Sequence, residues 1–124
     1  MTCNCNIDSN TVLCTQGTSL VLTVKFDNDI STYKTAEFVV RKNFNSTPVI
    51  SKIIDIEGLQ ELTIELTPED TKALNDFNNG ASQASYIWGL DLVDDEIGTR
   101  VSVFPKTGET APLFIVYRHV VETL

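Results

Sequence analysis

Ser85-Tyr86-Ile87-Trp88-Gly89-Leu90-Asp91-Leu92-Val93 is the stretch that decides the fold. Tyr86, Trp88, Leu90 and Leu92 occupy every second position, so an extended chain presents all four on one side. That is a half-buried strand. The phase the two aromatic residues share with Leu90 and Leu92 assigns them to a core, rather than to a platform on which a sugar would stack.

The same alternation recurs outward in both directions. In residues 19–26, Leu20, Leu22, Val24 and Phe26 share a face, and Ser19, Thr23 and Lys25 the other, with Val21 the exception. Residues 33–42 set Ala36, Phe38 and Val40 against Thr35, Glu37 and Arg41, and residues 49–56 are rich in β-branched side chains. Leu62, Ile64 and Leu66 alternate with Thr63 and Glu65, and two further strands are expected over residues 98–104 and 113–121. Turn chemistry separates them: Asp27-Asn28-Asp29, Asn43 to Pro48, Glu57-Gly58, Asp94-Asp95-Glu96, and a loop holding Pro105, Gly108 and Pro112.

The period changes once. Thr67-Pro68-Glu69-Asp70 supplies an N-cap residue, a proline suited to the first helical position and acids for the first turn. A short helix to about residue 74 is expected, followed by a polar loop around Asn78-Asn79-Gly80. The fold class is therefore all-β, a two-sheet β-sandwich of about seven strands with one short helix. Residues 11–124 form the single domain, and residues 1–10, which do not alternate, form a loose leader.

At 124 residues, 42% hydrophobic and 21% charged, the chain suits one core and is not a disordered tail. Its longest apolar runs, such as Leu113-Phe114-Ile115-Val116-Tyr117, are too short to span a bilayer as helices. The opening Met1-Thr2-Cys3-Asn4-Cys5-Asn6 lacks the basic and apolar parts of a signal peptide. Seventeen acids against nine bases give a net charge of -8, which repels phosphate backbones and anionic membranes alike. No nucleic-acid or membrane partner is expected. Three cysteines are an odd number for a disulfide framework, and cytoplasmic synthesis with reduced thiols is the simplest expectation.

Constellations that carry chemistry are weak here. Cys3 and Cys5 with Cys14 and His119 supply one close pair, where structural zinc sites use two. Cys14 reads as a small apolar strand residue, and His119 as an exposed position on the last strand, beside Arg118 and Val120. The acidic groups Asp27/Asp29, Glu69/Asp70 and Asp91/Asp94/Asp95/Glu96 lack the ordered spacing of a calcium loop, and turn and cap chemistry accounts for each. No phosphate-binding glycine loop and no Gly-x-Ser-x-Gly elbow occurs. The expectation is a protein that is not an enzyme, with no catalytic, metal or cofactor-binding residues and no cofactor.

Four segments, in order, resemble a family of immunoglobulin-like domains from bacteriophage tails and baseplates, among them the N-terminal domain of the baseplate upper protein. Gly17-Thr18-Ser19-Leu20-Val21-Leu22 is similar to the family's step into its first alternating strand, with Gln16 where a basic residue is common. Leu66-Thr67-Pro68-Glu69-Asp70-Thr71 matches its strand-to-helix motif residue for residue, Tyr86-Ile87-Trp88-Gly89-Leu90-Asp91-Leu92 matches a central strand loosely, and Phe114-Ile115-Val116 resembles the closing one. The resemblance covers about residues 11–121. It implies an immunoglobulin-like sandwich and a structural role in a phage or prophage virion, with other tail or baseplate proteins, or the chain itself, as partners. A carbohydrate-binding or adhesin-type sandwich module is the alternative. Val21, Val39 and Ile87, out of phase with the inward faces of their strands, are the apolar groups expected on outer surfaces.

Overall fold

Strand alternation becomes two stacked sheets in the computed structural model, which describes residues 11–26, 30, 32–78, 80–94, 96–105 and 108–119, and residues 2–6 by their backbone. The elements run β1 (Thr2–Asn6), β2 (Val12–Thr15), β3 (Ser19–Lys25), β4 (Thr35–Arg41), β5 (Pro48–Asp55), β6 (Glu61–Leu66), α1 (Pro68–Lys72), β7 (Gln83–Asp94), β8 (Thr99–Phe104) and β9 (Leu113–Tyr117). One sheet has the order β1-β3-β6. The other has β2-β9-β7-β4-β5, with β8 paired to β7. Strands β3 and β6 facing β9, β7, β4 and β5 reproduce the immunoglobulin-like order, in which β5 extends the sheet as in variable-type domains. Pairing is antiparallel except for two parallel ladders, β1 with β3 and β2 with β9.

The inward faces are the ones the alternation picks out. Leu20, Leu22, Val24, Leu62, Ile64 and Leu66 from the smaller sheet meet Ala36, Phe38, Val40, Tyr86, Trp88, Leu90, Leu92, Phe114 and Val116 from the larger. Trp88 is 2% exposed and sits between two rings, 5.9 Å from Phe38 and 5.0 Å from Phe104, both tilted by about 40°. Tilted stacking at these separations is the arrangement aromatic quadrupoles favour.

One end of the sandwich is closed by α1. The Thr67 hydroxyl accepts from the Asp70 amide at 3.2 Å, and the Asp70 carboxylate accepts from the Thr67 amide at 2.8 Å, a reciprocal capping box. Buried Thr71 donates its hydroxyl hydrogen to the Thr18 carbonyl at 2.8 Å, tying this corner to the turn at Gly17, which has φ 77°. Burial pushes the Asp70 carboxyl up. The Thr67 amide, the Lys52 ammonium and the Thr67 hydroxyl together outweigh that and hold it below its ordinary value. Lys52 reaches Asp70, at 2.9 Å, from the inward side of β5, which pairs only with β4 and so is an edge strand. Nearby, the Tyr86 hydroxyl accepts from the Asp76 amide at 3.0 Å, pinning the loop between α1 and β7.

Four expectations need correction. The described chain has nine strands rather than about seven. Residues 2–6, expected in a loose leader, form β1 along β3, held by backbone pairing that side-chain alternation does not report. Strand β2 is only four residues long, too short for a periodic signal. The helix ends at Lys72, where Ala73 becomes its C-cap. The last strand ends at Tyr117, so His119 lies past it, half-buried, with an Nδ1 that is shielded and has no hydrogen-bond partner among the described residues.

Candidate functional site

On a strand, what is not inward is outward, and the outer face of the larger sheet is unusually apolar. Register puts Val39 beside Gly89, Ile87 beside Leu113, and Leu13 beside Ile115 across β4, β7, β9 and β2. Ile53 on β5 stands opposite Glu37 on the same side. Nine large apolar side chains are exposed among the described residues. Six of them, Leu13, Phe44, Val49, Ile53, Leu113 and Tyr117, belong to this face or its rim. The outer face of β3 and β6 is different in kind, carrying Ser19, Thr23, Lys25, Glu61, Thr63 and Glu65 around a half-buried Val21.

A cleft of about 220 Å³ opens near the centre of the apolar face. Gly89 is its floor. A Cβ there would lie 3.3 Å from the Phe104 carbonyl oxygen, so the missing side chain lets the end of β8 fold close over β7. Val39 and Ile87 make the sides, and Pro105 and Ala111 the far wall. Arg100 reaches over from β8, donating to Glu37 at 2.8 Å and to Asp91 at 3.1 Å. Both carboxylates lining the cleft are therefore held by one guanidinium, and what remains to an occupant is shape and apolar wall.

Phe44 stands at the rim, 76% exposed. Its turn is built, not slack. The Asn43 side chain accepts from the Asn45 amide at 3.0 Å, the Ser46 hydroxyl accepts from the Asn43 amide at 3.0 Å, and Arg41 donates to the Ser46 carbonyl at 3.1 Å. An exposed ring on a hydrogen-bonded turn loses little freedom when it is covered, which favours it as an anchor.

The residues weighed for chemistry are not brought together. Cys14 is buried in β2 with its side chain in the core, while nothing is described of the Cys3 and Cys5 side chains. Asp27, Asp29 and Asp95 lie outside the described residues. Four of the acids that are described have structural partners: Asp70 in the capping box, Asp91 on Arg100, Glu96 on Lys34, and Asp94 accepting from the Glu96 amide at 3.0 Å. Among the described residues no group of three or more His, Cys, Asp or Glu side chains is placed to hold a metal ion, and no helix is long and apolar enough to cross a membrane.

Sequence reading found two members of the face, Val39 and Ile87, from their phase. It missed Phe44, Arg100, Leu13 and Leu113, because a turn residue has no phase and the others join the face only through pairings between distant strands. Compared with known protein families, characterised proteins and solved structures, the chain matches none of them.

Proposed function

We propose that the chain is a non-enzymatic structural component of a bacteriophage or prophage tail or baseplate, working through protein–protein contacts. The observation that carries the assembly part of the reading is the outer face of the larger sheet. Six exposed apolar residues on or around one face exceed the scattering of single aliphatics that any soluble protein shows. The virion context rests on the resemblance of residues 66–71 and the three other segments, and on an immunoglobulin-like sheet order that accommodates them. On this reading the chain is made in the bacterial cytoplasm and incorporated into the particle.

The experiment is co-expression with the products of adjacent genes, followed by isolation of complexes and analysis of assembled particles for the chain. A complex with a tail or baseplate protein, with the chain recovered in the assembled particle, is the expected result. A chain that enters no such complex and no particle, yet is retained by a glycan array, would overturn the reading in favour of carbohydrate recognition.

A further inference from the structure

We infer that a second copy of this chain covers the outer face of the larger sheet, the two faces stacked about a two-fold axis with each Phe44 seated in the other copy's cleft. The inference rests on the assembly reading above and names the surface and the occupant. Three observations select that occupant.

The first is charge. The whole chain carries -8, so two copies repel over most of their surfaces. The cleft at the centre of the apolar face is the exception: Glu37 and Asp91 against Arg41 and Arg100 sum to zero. A patch of mixed sign and no net charge can be laid against its own image without a like-charge penalty. A basic partner drawn by the charge of the chain would find nothing acidic left over in this cleft.

The second is symmetry and shape. An isologous contact requires one patch to hold both the projecting group and the hollow that receives it. Here the projecting group is Phe44 and the hollow is the cleft on whose rim it stands. A two-fold axis through the cleft carries each ring across to the opposite rim of the other copy. A buried aromatic in a central pocket is the usual form of an interface hot spot.

Size is the third. Five strands at about 4.8 Å spacing, and roughly seven residues of strand at about 3.3 Å each, give a flat footprint near 550 Å². Side-chain relief brings the accessible area towards the ~800 Å² per partner of a standard interface. The face is therefore large enough for a stable pair without recruiting the edges.

Sedimentation equilibrium of the full chain, over roughly 1–100 µM, tests this. The expected mass is twice the 13.7 kDa of one chain. Association should tighten several-fold between about 20 and 300 mM NaCl, because salt screens the repulsion of two acidic chains. Phe44→Ser and Ile53→Glu should each weaken it at least tenfold with unchanged circular dichroism. Ile97→Glu and Leu59→Glu, at exposed apolar positions away from the face, should leave it unchanged. A chain monomeric at both salt concentrations, association that salt weakens, or a dimer insensitive to Phe44 and Ile53 overturns the inference. A monomer that binds an adjacent tail-gene product through this face overturns the second copy alone, and the assembly reading survives. A monomer that binds no such product and is held by a glycan array overturns both.

Discussion

Replacing Trp88 with alanine removes the ring that joins Phe38 to Phe104 across the larger sheet. The side chain is 98% removed from solvent, since its exposure is 2%. Deleting a buried aromatic of this size costs about 3–5 kcal/mol, transfer and cavity terms together. Two tilted ring contacts add up to about 1 kcal/mol each beyond burial. The upper part of that range is expected, because Phe38 and Phe104 both border the hole and strand pairing holds β4 and β7 apart, so the site cannot collapse. A domain of this length holds roughly 5–15 kcal/mol in all. The melting temperature should fall by roughly 12–20 °C, at a few degrees per kcal/mol. The assay is thermal and urea unfolding followed by far-ultraviolet circular dichroism, because the variant lacks the protein's only tryptophan. A midpoint within about 3 °C of the parent would refute the reasoning, since it would place the indole outside the packed core.

Thr67→Ala should cost about 1 kcal/mol in urea unfolding, by leaving the Asp70 amide without its hydroxyl acceptor. Asp70 has a lowered folded-state pKa, so its ionised form stabilises the fold above the ordinary carboxylate value near pH 4, and that contribution disappears as pH falls through the lower folded value. The stability difference between the parent and Asp70→Asn should therefore be full at pH 7 and close in acid, as urea midpoints measured from pH 7 to about pH 2.5 would show. Tyr86→Phe should cost about 1 kcal/mol and speed amide hydrogen exchange at Asp76, whose N–H loses the phenolic oxygen as its acceptor.

The core was legible because burial and strand period are the same fact seen twice. Tyr86, Trp88, Leu90 and Leu92 announce both at once, and the structure puts all four inside. The cap at Thr67 was legible for a similar reason: its partners lie within three residues of sequence. What could not be read is whatever depends on pairing between remote segments. Arg100 meets Glu37 across 63 positions, and the sequence near either gives no hint of the other. Strand β1 is a different failure. Its asparagines have poor strand preference, and its place comes from the backbone of β3. The apolar face lies between these cases, with Val39 and Ile87 visible as phase errors and their neighbours visible only once register is known.

Lys52 guards the free edge that the larger sheet presents at β5. It points inward from β5 and ends at Asp70, so any strand added along β5 would have to be laid beside a half-buried ammonium already committed to a carboxylate. Pairing of β5 onto the opposite free edge of the next copy's larger sheet, at β2, has no natural stopping point, because each added copy brings another open β5, and the product is a fibre. Stacking face to face stops at two. A chain with an inward charge on its long edge and its apolar groups on a broad face is thus biased towards a counted assembly and away from a runaway one. Lys52→Val, which makes that edge uniformly apolar on its inward side, would trade the count for fibre growth.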